Sequence, residues 1–380
     1  MKRLNRRVIA VAAVGAAALN FAPEAGPLRG TRPTAYAWET STVATNYVFD
    51  GTFPKLPLPN KWTFGGVQAL AVDSDDVVWM SHRPNDLNET ENFASLDPPL
   101  AECCVKAPAI LAFDQRGTLV HAWDTQPGHV LLIDAKEQVW IGSDTFRIFT
   151  KDGKLVTEFP RSPQRPAGRG APPGPAIPAG TELIVTGVEG ASFDEAAREV
   201  YVIDNYLAGR VLVFDMDTYK FKRGWGAYGK PLSEIGPMPR PTYDPKVPLT
   251  TYKDFQGHVT MMVAGNDVYV ADRAADRVQV FTKQGKFVRE FQVAPDTRGD
   301  GSAVGLALTK DGRSLFVADH MNNVVWLVDR RTDKVTARIG YLGRNGGGFN
   351  ALHMVAVDSR GNLYTGEVDP NNRVQRFLLK

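Results

Sequence analysis

Only two cysteines occur in 380 residues, and they are neighbours, Cys103 and Cys104. Adjacent cysteines bridge only with strain, and no third cysteine is present. Neither a disulfide framework nor a thiolate metal site is supported, so stability has to come from a buried core. Histidine is also scarce, with six in the chain. An excess of one charge is missing: the formal net charge is +2, and Lys2, Arg3, Arg6 and Arg7 more than account for it. The rest of the chain lacks the basic balance that nucleic-acid binding requires, and no nucleic-acid partner is expected. Long apolar runs are confined to the start, "MKRLNRRVIAVAAVGAAALNFAP". Its basic opening and alanine-rich apolar stretch have signal-peptide length, Ala35-Tyr36-Ala37 offers a small-residue cleavage site, and residues 8–19 are short for a bilayer crossing. Residues 1–37 are therefore expected to direct export to a periplasmic or extracellular location, leaving a soluble mature protein of residues 38–380.

With 43% hydrophobic and 23% charged residues, the chain can bury a large core. What fills it is a repeat. "GHVLLIDAKEQVWIGSDTFRIFTKDGKLVTEF" from Gly128, "GHVTMMVAGNDVYVADRAADRVQVFTKQGKFVREF" from Gly257 and "LHMVAVDSRGNLYTGEVDPNNRVQRFLLK" from Leu352 share one plan of strand, turn, strand, Asp-containing connection and further strand. Segments opening at Gly66, Gly190 and Ser302 bring the copies to six. Short strands repeated at about forty residues predict an all-β fold, a six-bladed β-propeller of four-stranded blades. The last copy ends at Lys380 without a fourth strand, whereas "TNYVFDGTFP" near Thr45 reads as a fourth strand without its first three. The N-terminal strand is thus expected to close the ring and remove an open edge. Loop insertions at 84–108, 160–188 and 230–256 all follow a strand 2 or a strand 4, which places them on the face where strand 1 begins.

The residue that opens strand 1 is Gln68, His129, Glu189, His258, a small residue near Val304, and His353 in successive blades. Half of the histidines in the chain occupy this one slot, in alternate blades about 120° apart, so three imidazoles are expected to converge on the axis. Three neutral imidazoles with an open fourth position suit a catalytic Zn2+. The position just after strand 2 lies on the same face and holds Arg83, Tyr206, Arg273 and His320. Two guanidiniums beside a cation form a clamp for a carboxylate, and a phenol is a plausible acid/base group. The expected partner is therefore a small molecule or peptide carrying a carboxylate.

At these residues the chain resembles the peptidylglycine amidating lyase family, an NHL-type propeller that cleaves peptidyl-α-hydroxyglycine into a peptide amide and glyoxylate. The resemblance spans roughly residues 65–380 and is closest in "VADRAADRVQVFTKQGKFVREF". It implies that His129, His258 and His353 bind zinc, that Arg83 and Arg273 bind substrate, and that Tyr206 is catalytic. The family also has a structural Ca2+, for which Leu70 and Leu131 match carbonyl donors. Here Met354 stands where the family has the aspartate that helps bind it, Ala351 replaces a methionine, and Leu207 replaces a disulfide cysteine. Two other readings stay open: a non-catalytic NHL-repeat propeller that binds a protein or peptide, and another metal-dependent enzyme such as a lactonase-like hydrolase.

Overall fold

The computed structural model describes residues 41–163, 180–204, 209–235, 252–297 and 299–380. The expected export segment and Tyr206 lie outside the described residues. Six blades follow one another. Blade 1 comprises Val67–Val72, Val78–His82, Ile110–Phe113 and Leu119–Trp123, and blade 2 comprises Val130–Ile133, Val139–Gly142, Phe146–Phe149 and Leu155–Glu158. Blade 3 comprises Val188–Asp194, Glu199–Asp204, Arg210–Asp215 and Phe221–Trp225, and blade 4 comprises Val259–Ala264, Asp267–Asp272, Arg277–Thr282 and Phe287–Gln292. Blade 5 comprises Ala303–Leu308, Ser314–Asp319, Val324–Asp329 and Lys334–Ile339, with Thr42–Val43 parallel at its outer edge. Blade 6 comprises Leu352–Val357, Leu363–Glu367, Arg373–Leu379 and, as its outermost strand, Tyr47–Asp50.

The expected closure is therefore present. Tyr47 pairs with Leu379 and Asp50 with Arg376 in an antiparallel ladder, and the Asp50 carboxylate accepts from Arg376 Nε at 2.7 Å. The first strand of each blade packs against the first strand of the next, and that of blade 6 against that of blade 1. Pairing the last blade across the chain ends leaves no gap in the ring.

Packing explains the residue pattern. Because each blade is sandwiched between two others, both faces of its second strand are covered, and Val78–His82, Val139–Gly142, Glu199–Asp204 and Leu363–Glu367 are buried throughout. Two of these strands, VWIG and EVYVID, read as largely β-branched and aromatic runs, as strands covered on both faces do. Apolar clusters fill the six blade interfaces, for example Trp79, Ile110 and Ile141 between blades 1 and 2, and Phe316, Leu352 and Phe377 between blades 5 and 6.

Two polar devices recur with the repeat. An aspartate in the hairpin after strand 1 caps the turn and takes a strand-2 ring donor: Trp79 Nε1 donates to Asp73 at 2.9 Å, Trp140 Nε1 to Asp134 at 3.0 Å and Tyr364 OH to Asp358 at 3.0 Å. On the opposite face, an acid at the end of strand 2 pairs with an arginine at the start of strand 3. Asp204–Arg210, Asp272–Arg277 and Glu367–Arg373 are 2.7, 2.9 and 2.8 Å apart. Each pair also holds the chain entering its blade. Asp272 accepts from Gln256 N at 3.0 Å while Arg277 donates to Asp254 O at 2.9 Å. The ADxxxxRV pattern is thus a clamp on the inter-blade crossover.

Cys103 and Cys104 are bonded to each other. The dipeptide lies in the 84–108 insertion, directly before Val105–Lys106, which pairs in parallel with Trp62–Thr63. A vicinal bridge closes no length of chain and cross-links no elements, so stability still rests on the core.

Candidate functional site

The slot at the start of strand 1 is built by a local irregularity. In blades 1, 3, 5 and 6 the pairing between strands 1 and 2 skips one residue, between Val67 and Ala69, Val188 and Gly190, Ala303 and Gly305, and Leu352 and Met354. The residues skipped are Gln68, Glu189, Val304 and His353. A β-bulge leaves its extra residue out of the ladder and re-aims it. In blade 4 the same position is reached differently, with His258 held at φ +49° immediately before Val259.

The ring that results brings the three predicted histidines together. His129, Glu189, His258, Val304 and His353 line one small cavity of about 10 Å³, room for a single water or ion. The rings of His129 and His353 are 5.7 Å apart. Arg83 Nη2 lies 2.8 Å from His129 Nε2, so a predicted substrate arginine reaches the ring. Arg273 is buried, and its positive charge acts on His129, His320 and His353. Asp272, its neighbour in sequence, is taken by Arg277 instead.

Hydrogen-bond partners fix the tautomers of His129 and His353. A carbonyl only accepts, so His353 Nδ1, 3.2 Å from Gln68 O, carries the proton. A guanidinium only donates, so His129 Nε2 accepts from Arg83. His129 and His353 therefore keep their lone pair on Nε2. The Glu189 carboxylate lies at ion-pair distance from His258, 2.9 Å from Nδ1. Burial lowers the pKa of His129 to about 4 against the opposing charge of Glu189, with Arg83, His258 and Arg273 adding to the drop. Burial likewise holds His353 well below 6.5, aided by His129 and Arg273. Both are neutral near pH 7, the state in which imidazole binds a metal.

The donor set suits Zn2+ chemically. Its spacing does not yet: among the described residues no group of three or more His, Cys, Asp or Glu side chains stands at metal-binding separation. The reason at His129 is visible, since Arg83 Nη2 occupies the nitrogen that would coordinate. For Ca2+ the fit fails. The channel continuing below the ring is lined by Leu70, Leu131, Thr260, Leu306, Met354 and other residues without a carboxylate, whereas calcium takes six to eight oxygens and usually acidic ones.

Two further groups belong to the site. Glu189 shares the slot with the histidines, a signal visible in the aligned repeats. His320 follows strand 2 of blade 5, its Nδ1 donates to Leu352 O at 2.9 Å, and burial with the Arg273 charge lowers its pKa. His82, by contrast, is structural: it accepts from Gly65 N at 3.2 Å and donates to Pro108 O at 2.8 Å.

Fold and site define a class, a six-bladed β-propeller consistent with NHL-type repeats and carrying a histidine ring on its axis. Compared with known proteins, the chain matches no family model and no curated sequence. The resemblance to amidating lyases therefore rests on the residues named above.

Proposed function

We propose that the chain is an exported, zinc-dependent carbon–nitrogen lyase of the amidating-lyase kind, acting on an α-hydroxyglycine-like substrate that carries a carboxylate. The observation that supports this best is the ring itself: three imidazoles from alternate blades, those of His129 and His353 with the lone pair on Nε2, around space for one small guest. His129, His258 and His353 would hold the cation, which when bound supplies Lewis acidity that lowers the pKa of a hydroxyl. Arg83 and Arg273 bind and orient the substrate carboxylate. To do so Arg83 swings Nη2 away from His129, which at the same time uncovers that ring. The substrate hydroxyl loses its proton, its C–O becomes a carbonyl, and the C–N electron pair leaves with nitrogen, which is then protonated. Protons are conserved overall, and Tyr206 is assigned to carry them. The products are an amide and glyoxylate.

A second reading, a non-catalytic propeller that binds a peptide or protein on this face, is favoured by the Arg83–His129 contact, in which a guanidinium occupies the nitrogen that would coordinate. Metal analysis by mass spectrometry separates the two. The lyase reading expects about one zinc per chain, lost in His258→Ala, together with glyoxylate release from an α-hydroxyglycine peptide. Absence of zinc from protein grown with zinc supplied leaves the binding propeller. Tyr206→Phe with unchanged turnover would remove the role given to Tyr206, and N-terminal sequencing of the mature protein tests export.

A further inference from the structure

We infer that the hollow between blades 4 and 5, on the face opposite the histidine ring, is a second binding site that takes a small anion carrying hydroxyl groups, a sugar acid or sugar phosphate, held by Arg313, Arg330 and Arg331. It stands independently of the reading given to the ring.

The hollow follows from one departure in the repeat. Two residues beyond the cross-strand partner of the strand-2 ring stand Asp73, Asp134, Asp194 and Asp358, but in blade 4 that position holds Ala264. Elsewhere a lysine from the next blade fills the seam by pairing with this aspartate, Lys151 with Asp73 at 2.8 Å and Lys283 with Asp194. In blade 4 Asp267 takes over the ring hydroxyl, accepting from Tyr269 OH at 3.1 Å, and the hairpin of blade 5 brings Arg330 in place of lysine. About 440 Å³ stays open between them, the size of a small-molecule site rather than of a single ion.

Arg330 is fixed before any ligand arrives. Its Nε donates to Tyr269 OH at 3.1 Å, Nη1 to Gly312 O at 2.7 Å and Nη2 to Ala264 O at 3.2 Å, which straps the two blades together. A guanidinium has five N–H groups, so two remain for a ligand. The exposed Arg313 and Arg331 bring two more guanidiniums to the same hollow. Such planar donors match a carboxylate or phosphate. Two acids also line it. Asp329 spends Oδ1 on its turn, accepting from Thr332 N and Oγ1 at 2.8 Å each, and Asp267 gives Oδ2 to Tyr269, so each has its other oxygen without a donor among the described residues. A carboxylate oxygen only accepts, and hydroxyl groups supply what it needs. Three guanidiniums against two carboxylates therefore call for a ligand with negative charge at one end and O–H donors elsewhere.

The test is calorimetric titration of the full-length protein with galacturonate, glucose 6-phosphate, galactose and acetate, each up to about 10 mM. One or both of the first two should bind; galactose lacks the charge and acetate the hydroxyls, and each should bind at least about 10-fold more weakly. Binding of galacturonate alone assigns a carboxylate ligand, and of glucose 6-phosphate alone a phosphate. Arg313→Ala and Arg331→Ala, changes at exposed residues, should each weaken binding about 10-fold. Ala264→Asp restores the carboxylate of the other blades against Arg330 and should remove binding, with a thermal melt to show that it is folded; if it is not, the two arginine variants decide. A native chain that binds neither anion overturns the inference. So does galactose or acetate bound as tightly as the anions, or native affinity in both arginine variants or in a folded Ala264→Asp, which would place the binding elsewhere.

Discussion

Chemically identical side chains are put to opposite uses in this ring. His82 is fully buried with both nitrogens bonded to the backbone, and burial drives its pKa down from 6.5 to about 4. The unfolded chain takes up a proton below pH 6.5 that the folded chain refuses, so stability is complete above that value and declines as the pH falls toward 4. For this single imidazole the loss is roughly 3 kcal/mol. Denaturant titrations across that range should show the slope, and His82→Asn should flatten it at the cost of lower stability overall. His129 and His353 are also held neutral, but each leaves Nε2 toward the axis. Slot position in the repeat separates the two kinds, since His82 closes a strand 2 while the others open a strand 1. Arg273 is buried beside the histidines, and Arg273→Ala should lower kcat/KM roughly 100-fold if its guanidinium holds the substrate carboxylate. A variant with native kinetics would exclude that contact.

Elements are held to one another by clamps that the repeat sequence displays and by bulges that it does not. Removing Arg277 leaves the buried Asp272 carboxylate, whose pKa burial already raises, without its guanidinium. Arg277→Ala should cost about 3–5 kcal/mol in an unfolding titration, far more than a surface ion pair would. The turn carrying Arg273 is tied down from the next crossover, where Ser302 N donates to Asp276 at 2.8 Å. Gly301, at φ +76°, has no room for a side chain: a Cβ would sit 1.9 Å from Arg273 O. Gly301→Ala should therefore displace Arg273 and reduce substrate affinity more than Arg313→Ala, a change at an exposed residue on the opposite face. The strands and clamps were legible because β-branched runs and Asp-containing turns recur through the repeat and an acid followed five or six residues later by Arg recurs in three blades. The bulges were not, because a skipped residue leaves the composition of a strand unchanged and shows only when two strands are put in register.

The ring behaves as one closed object, since every blade interface has its own apolar cluster and each is completed by the next blade. Deleting residues 41–50 would uncover the outer edge of blade 6 and break the Asp50–Arg376 pair. The truncated chain should lose cooperative unfolding and self-associate through the bare edge, which size-exclusion chromatography would detect. A truncated monomer with the native unfolding midpoint would show that the strand is dispensable. Repeat period, strand alternation and the histidines in one slot follow from local residue order alone, and with them come the fold class, the blade count, the closing strand and the convergence of His129, His258 and His353. Arg83 on His129, Glu189 on His258 and the Gln68 carbonyl on His353 join different blades, and no local pattern encodes such contacts. They depend on where closure of the ring brings each blade, so the tautomers and the charge balance at the axis were decided by the tertiary structure.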